Sequence, residues 1–331
     1  MKYYPELDGV RAMAALAVVL VHTDRATLPG GVFGVDIFFV LSGYLTTSIA
    51  ASHRYTFKGF IWRRFIRVWP LMAFVSFCVG ALLFSVNLNG LVVWPSLVFL
   101  QTFFSPHLSP MGHTWTLTME MSFYILIALL AYCRLNVLRI SLALYVICVM
   151  SRYALPVNSI YYLPGPHSSG LFLGAILATS RFTLPKPFVN LTLVTSLVMF
   201  AFVAIVGENS IGGLPTAILI AEWVGVGIIA ACISAPSWAG ILLRWKPIRY
   251  LGWISYGIYI WHIPVLVFFK DKETVPKFIA TVLTTIILAS LTYYFLEKPL
   301  LVKRPPRRGE PHDHDVKVKV ADRGGFEPPT P

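Results

Sequence analysis

Charged residues are scarce in this 331-residue chain, at 13% of the sequence against 56% hydrophobic residues. A water-soluble domain has roughly a quarter of its residues charged. The mean hydropathy of +0.71 and the long apolar runs at residues 188–206 and 214–234 exclude that class. Runs of this length cross a hydrocarbon layer of about 30 Å as helices. The sequence therefore predicts an all-α membrane protein.

Cysteine is also sparse, and the four cysteines fall in or beside apolar runs without paired spacing or accompanying histidines. Neither a disulfide framework nor a metal site is therefore expected. No internal repeat is evident, so the pseudo-symmetry of many secondary transporters has no support. The net charge of +12 does not indicate a nucleic-acid partner, because the basic residues lie between apolar runs, as the positive-inside rule describes.

The basic loops predict the topology. Apolar runs begin near Val10, Val32, Leu71, Leu91, His113, Val137, Ser169, Phe188, Leu214, Tyr250 and Phe278. Between them lie basic loops at residues 53–67, 134–139, 181–186 and 244–249. All are cytoplasmic only if the short run at 91–104 enters and leaves on one side. This predicts about ten transmembrane helices plus one re-entrant or interfacial segment, with both termini cytoplasmic. The basic residues expected outside are Arg25, Arg152, Lys270, Lys272 and Lys277.

The composition of the chain changes at one point, after residue 301. Residues 1–301 form the predicted membrane domain. Residues 302–331 are rich in proline and charge and cannot bury a core, so they are predicted to be a disordered, basic cytoplasmic tail. Within the membrane domain, Gly31, Gly34 and Gly43 are expected to let helices approach closely.

Polar side chains within the predicted spans are candidates for function, since each costs free energy in hydrocarbon. Arg11 and His22 share one face of the first helix, about 16 Å apart along its axis. Asp36 and Glu120, from two other helices, are expected at the depth of His22. We predict that His22, Asp36 and Glu120 converge in the outer half of the membrane if their helices are neighbours, with a carboxylate orienting the histidine as a base. The alternatives are a snorkelling anchor for Arg11 and a packing role for His22.

Three arginines are closely spaced in FIWRRFIRVWP, and we call Arg63, Arg64 and Arg67 the arginine cluster. On a helix, positions i and i+4 share a face, and the third residue lies alongside. Arginine forks match phosphate oxygens, so the cluster predicts capture of phosphates or of a stacked purine. The alternative is that positive-inside topology alone accounts for it.

A polar stripe is predicted in LGWISYGIYIWHIP, where Ser255, Tyr259 and His262 are spaced at i, i+4 and i+7. We call these three residues the polar stripe. Together with Trp115 they are candidates for acceptor binding or support. Two further carboxylates lie in apolar surroundings: Glu297 is predicted to pair with a nearby base, whereas no partner for a buried Glu222 can be named.

Six segments together resemble acyltransferase family three, a family of membrane-bound O-acyltransferases: LDGVRAMAALAVVLVH, GVDIFFVLSGY, RRFIRVWP, HTWTLTMEMSFY, ISYGIYIWH and FLEKPL. They occur in the family's order and cover about residues 5–301. The resemblance implies a ten-helix bundle in the bacterial inner membrane. It also implies transfer of acyl groups, usually acetyl, to exported or envelope carbohydrate. The implied donor is acetyl-CoA as a co-substrate, and no tightly bound cofactor is expected.

By position, the resemblance implies that His22 is the catalytic histidine and Arg11 its motif partner. Glu120 matches the glutamate of the family's W-x-L-x-x-E-like stretch, and Asp36 the polar residue of the second-helix motif. The arginine cluster, Arg63, Arg64 and Arg67, matches the donor-binding basic group.

The mechanism expected from these residues starts with His22, which removes the proton of the acceptor hydroxyl as this attacks the thioester. A route through an acyl-histidine is also open. Some family members carry a further soluble domain that is not expected here, so transfer either finishes within the bundle or needs a separate extracytoplasmic partner protein. The main alternative function is a secondary transporter with an intramembrane His/Asp/Glu relay. A further alternative is a flippase-like or scaffold subunit without chemistry.

Overall fold

The computed structural model describes residues 3–86, 88–104, 109–156, 160, 162–270 and 274–302. All regular structure in these residues is helical, as predicted. The longer helices are α1 Pro5–Thr23, α2 Gly34–Ala51, α3 Phe57–Ser85, α4 Trp115–Tyr132, α5 Val137–Ala154, α6 Ser169–Ser180, α7 Lys186–Val206, α8 Leu214–Ser234, α9 Lys246–Trp253, α10 Ser255–Phe268 and α11 Thr274–Thr292. Lys272 and the predicted tail from residue 303 onward lie outside the described residues.

Seven of the described helical segments are long and apolar enough to cross a membrane. The pair α9 and α10, bent by 68° at a short break, makes an eighth if it is counted as one span. The multi-pass class is confirmed, but the count of ten is not. Helix α1 carries Glu6, Asp8 and Arg11 within 19 residues. Helix α6 has 12 residues, about 18 Å of helix, which is too short to span alone.

Residues 91–104, predicted to be a re-entrant or interfacial segment, contain no continuous helix. They form short turns, including a one-turn helix at Trp94–Leu97. The segment packs beside α3, where the indole N–H of Trp69 donates to the carbonyl of Leu97 at 3.0 Å. Its proline at position 95 and its brief turns agree with a segment that does not span.

Helix α3 begins earlier than the sequence suggested. The sequence placed the start of the span near Leu71, after the arginine cluster, whereas the helix runs over 29 residues from Phe57. The hydroxyl of Thr56 caps its start by accepting from the backbone N–H of Gly59 at 3.1 Å. The cluster therefore lies on the first half of a continuous helix about 43 Å long.

Helix α2 lies in the middle of the bundle, in contact with α1, α4, α6 and α8. Its tightest neighbour is α6. A Cβ at Gly43 would lie 2.1 Å from the carbonyl oxygen of Leu171, and a Cβ at Gly174 would lie 2.1 Å from that of Val40. The two backbones therefore touch where both helices have glycine, and the predicted role of Gly43 in close packing is confirmed.

Replacement of Gly43 by alanine is expected to destabilise the bundle, because the added methyl group meets backbone that cannot rotate away. The expected cost is about 1–3 kcal/mol, typical of overpacking. The measurement is the temperature of half-unfolding in detergent, followed by tryptophan fluorescence. Gly165→Ala is the matched control, since a Cβ there has nothing within 4 Å. Equal effects of the two substitutions would contradict this account.

Candidate functional site

A first cavity, which we call the arginine cavity, lies between α1, α2, α3, α4 and α10 and has a volume of about 180 Å³. The described residues lining it include one carboxylate, Glu120, and five arginines: Arg11, Arg54, Arg63, Arg64 and Arg67. All three members of the arginine cluster therefore line one cavity, as their spacing on a helix predicted. The excess of cations suits a ligand with several negative charges.

The guanidinium groups of the arginine cluster are held in different ways. The guanidinium of Arg63 lies over the ring of Tyr55, 4.2 Å from its centroid. A terminal nitrogen of Arg67 is 3.9 Å from the carboxylate of Glu297, which confirms the predicted pairing of that glutamate with a base. Nη2 of Arg64 is buried and has no hydrogen-bond partner among the described residues. Arg64 thus retains hydrogen-bonding capacity for an anion.

Arg11 and Glu120 lie in the same cavity. The Nε–H of Arg11 donates to the hydroxyl of Ser255 at 3.2 Å, which connects α1 to the start of the polar stripe on α10. The Glu120 carboxylate interacts electrostatically with Arg11 and Arg64. Glu120 therefore belongs with the cationic groups of the arginine cavity.

A second cavity, the histidine cavity, has a volume of about 270 Å³, and His22, His113 and Trp115 are among its lining residues. Nδ1 of His22 lies 2.7 Å from the carbonyl oxygen of Val18, one turn earlier in α1. A carbonyl only accepts, so Nδ1 carries the proton and Nε2 of the neutral ring holds a lone pair. The His22 side chain is exposed to the cavity. It has the tautomer that a general base acting through Nε2 requires.

Three histidine rings meet here. His262 lies 5.1 Å from His22 and 5.0 Å from His113, between ring centroids. Nε2 of His113 lies 3.1 Å from the carbonyl oxygen of Ile260. Nδ1 of His262 lies 2.6 Å from the carbonyl oxygen of Tyr259. Their other ring nitrogens are buried without a hydrogen-bond partner among the described residues. No group of three or more His, Cys, Asp or Glu side chains in the described part of the chain could hold a metal ion.

The two cavities are neighbours. Val35 and Tyr259 are the described residues that line both of them. The hydroxyl of Tyr259 donates to the carbonyl of His113 at 2.5 Å and lies 2.8 Å from the hydroxyl of Thr116. We call Val35 and Tyr259 the partition. The polar stripe of α10 thus runs from the arginine cavity, through the partition, to the three histidines.

The predicted convergence of His22, Asp36 and Glu120 is not what the structure shows. His22 lies in the histidine cavity and Glu120 in the arginine cavity. Asp36 is buried and lies 3.1 Å from Nε2 of His167. The prediction required neighbouring helices and a similar depth, but Asp36 lies on the side of α2 that faces the segment before α6. Helix α2 does contact α1 and α4, but sequence spacing does not give which face of α2 each neighbour covers.

A second buried pair joins α5 to α8. Arg152, expected in an external loop, is fully buried at the end of α5, and its Nη2 lies 2.6 Å from the carboxylate of Glu222. The hydroxyl of Ser169 also donates to this carboxylate, so Glu222 has the partner that the sequence did not reveal. The Nε–H of Arg152 donates to the carbonyl of Pro166 at 2.7 Å. This fixes the turn that carries His167, whose ring packs on Trp115 at 5.1 Å.

Sequence reasoning did not select His113, His167 or Arg152 as site residues. His113 directly precedes the stretch containing Trp115 and Glu120, and its one usable signal was an ionisable residue at the edge of an apolar run. His167 lies in a proline- and glycine-rich turn, where no helical spacing relates it to other polar residues.

The fold and cavities define a polytopic membrane protein. Arginine side chains lie on one side of an internal partition, and imidazole groups lie on the other. A family described as "Acyltransferase domain" matches residues 4–295, and the chain belongs to this family. The resemblance to acyltransferase family three is thereby confirmed.

Three relatives give the range of similarity. A Bacillus subtilis protein, YrhL, provisionally named a peptidoglycan O-acetyltransferase, is 31% identical over 90% of this chain and 55% of its own length. The peptidoglycan O-acetyltransferase OatA of Listeria monocytogenes is 29% identical, with 90% and 56% covered. The O-acetyltransferase OatA of Staphylococcus aureus is 28% identical, with 91% and 58% covered. The chain thus spans a little over half the length of these relatives. No solved structure matches it.

Replacement of Glu222 by glutamine is expected to destabilise the protein strongly, because Arg152 would remain as a buried charge without its counter-ion. Loss of one partner of a buried pair typically costs about 3–5 kcal/mol. The readout is the temperature of half-unfolding in detergent. Glu208→Gln is the control, since its partner Arg25 is 74% exposed and such pairs contribute about 0–1 kcal/mol. A smaller shift for Glu222→Gln than for the control would refute the structural role of the pair.

Proposed function

We propose that this protein is a membrane O-acyltransferase that moves an acetyl group from acetyl-CoA to a hydroxyl of an envelope carbohydrate. The observation that carries the proposal is the pair of cavities, one cationic and one containing an accessible histidine, on either side of a single partition. A reaction between a polyanionic donor and a neutral hydroxyl acceptor calls for two such environments in contact.

The arginine cavity is the proposed donor site. CoA carries phosphates on both its pantetheine linker and its ribose, and guanidinium groups bind phosphate oxygens through paired N–H donors. Arg64, with its free Nη2, and the neighbouring Arg63 supply donors inside the cavity. In this proposal acetyl-CoA is a co-substrate that binds for each reaction and leaves as CoA.

The proposed orientation places the arginine cavity toward the cytoplasm. Basic residues cluster at its mouth, where Arg54 and Lys58 are exposed beside the start of α3, and cytoplasmic loops of membrane proteins are enriched in such residues. The cytoplasm is also where acyl-CoA is made. The histidine cavity then faces outward, toward the envelope of a bacterial cell.

The chemistry proposed for the histidine cavity begins at Nε2 of His22. This nitrogen takes the proton of an acceptor hydroxyl while the hydroxyl oxygen attacks the thioester carbonyl. A C–O bond forms, the C–S bond breaks, and the proton passes from His22 to the thiolate, so that CoA leaves as a thiol.

The acceptor class follows from the relatives. Two of them are named for O-acetylation of peptidoglycan, so a cell-wall glycan is the first acceptor to test. Membership of an acyltransferase family disfavours the transporter alternative, although both functions would use ionisable groups inside the membrane.

Replacement of His22 by asparagine tests the base. The asparagine amide can still donate to the carbonyl of Val18, whereas it has no counterpart of Nε2, so the local structure is retained and the base is lost. We expect acetyl transfer to fall by about 100- to 10,000-fold. The measurement is radiolabelled acetyl moved from acetyl-CoA to envelope glycan in membranes.

His53→Asn is the matched control, because His53 is exposed at the end of α2 and lines neither cavity. Equal labelling by His22→Asn and the parent protein would remove His22 as the base. Absence of labelling by the parent protein with every glycan acceptor would count against the acyltransferase and favour the transporter.

Replacement of Arg64 by glutamine tests the donor site. Loss of one charge-assisted contact to phosphate is expected to raise the KM for acetyl-CoA by about tenfold or more, with a smaller effect on kcat. Arg139→Gln, which removes an exposed arginine outside the cavity, is expected to leave the KM unchanged. An unchanged KM in both variants would contradict donor binding at Arg64.

A further inference from the structure

The partition is the part of the lining that the two cavities share. Val35 in the first turn of α2 and Tyr259 in α10 are the described residues that line both. Every other described lining residue belongs to one cavity only. Thr116 and Ser255 lie on the arginine side, whereas His22 and Trp115 lie on the histidine side.

Both members of the partition are held in place. The Tyr259 hydroxyl is fixed by the carbonyl of His113 and the hydroxyl of Thr116. Val35 is 6% exposed, and a β-branched side chain on a helix has essentially one rotamer. Its helix cannot retreat, since a Cβ at Gly34 would lie 2.4 Å from the carbonyl oxygen of Ala14. The free space beside Val35 is therefore set by the size of its side chain.

We propose that Val35, with Tyr259, determines the length of the acyl chain that this protein transfers. The inference rests on the proposed function. At the moment of transfer the C–S bond breaks on the arginine side, and the new C–O bond forms on the histidine side. The proton of the hydroxyl passes through His22 to the departing thiolate. The acyl carbonyl then lies at the partition, so its chain must fit beside Val35.

This arrangement favours acetyl, which has one methyl group beyond the carbonyl. Each additional methylene must occupy space that the two γ-methyl groups of Val35 and the ring of Tyr259 restrict. A difference of one methylene in a well-packed pocket typically changes the rate ratio by about 10- to 200-fold. Acetyl-CoA is therefore expected to be preferred over propionyl-CoA and butyryl-CoA.

The test is the ratio of butyryl to acetyl transfer, measured with the two radiolabelled acyl-CoA donors and a glycan acceptor in membranes. Val35→Ala enlarges the space, so the ratio is expected to rise at least tenfold. Val35→Ile fills it further, so the same ratio of butyryl to acetyl transfer is expected to fall. The paired variants change the ratio in opposite directions, which a general loss of folding cannot do.

Val18→Ala and Val68→Ala are the matched controls. Both valines are buried, and each lines one cavity only, Val18 the histidine cavity and Val68 the arginine cavity. Neither substitution is expected to change the ratio. A similar rise in these controls would overturn the role of Val35, because it would show that any added space relaxes selectivity.

Failure of the Val35 inference and failure of the proposed function give different experimental results. If the parent protein transfers acetyl and neither Val35→Ala nor Val35→Ile changes the ratio, the inference about Val35 is overturned and the acyltransferase function stands. If the parent protein transfers no acyl group from any donor, the proposed function is overturned and the inference with it.

Discussion

Helix α2 is held among its neighbours by contacts between backbones, and the interior of the protein depends on these contacts. Where Gly43 and Gly174 face α6 and α2, no side chain separates the two helices. In lipid, close packing of this kind replaces the hydrophobic effect that drives helices together in water. Because α2 is fixed, its first turn places Val35 at the partition and Asp36 toward His167 at set positions. The glycine contact between α2 and α6 thus holds the helices together and also sets the positions of Val35 and Asp36.

Ionisable side chains inside the bundle fall into two groups. One group is paired and fully buried, as are Arg152 with Glu222 and Asp36 with His167. Such pairs lower the cost of charge in hydrocarbon and fix the relative positions of α2, α5, α6 and α8. The other group lines the cavities. Burial alone is common to both groups, so what a carboxylate of this bundle faces distinguishes one group from the other.

Features that depend on spacing along one helix were predictable from the sequence, and features that depend on the choice of neighbour were not. The arginine cluster lines one cavity, and the polar stripe crosses the partition, because helical periodicity determines which residues share a face. The partner of Asp36 is His167, 131 positions away, and that of Glu222 is Arg152. The count of ten spans is not confirmed for a related reason: α1 carries three charged residues and α6 has only 12 residues, so neither is among the helices long and apolar enough to cross a membrane.

The hydrogen bond between His22 and the carbonyl of Val18 lies entirely within α1. The ring is therefore oriented by a hydrogen bond within its own helix, one turn back, and the ring of His262 on α10 packs against it. Walls of the histidine cavity come from α4, from α10 and from the segment containing Tyr162. Those walls can be remodelled by mutation without misdirecting the ring. In the proposed acyltransferase, one bundle can in this way acquire new acceptors during evolution while His22 keeps its orientation.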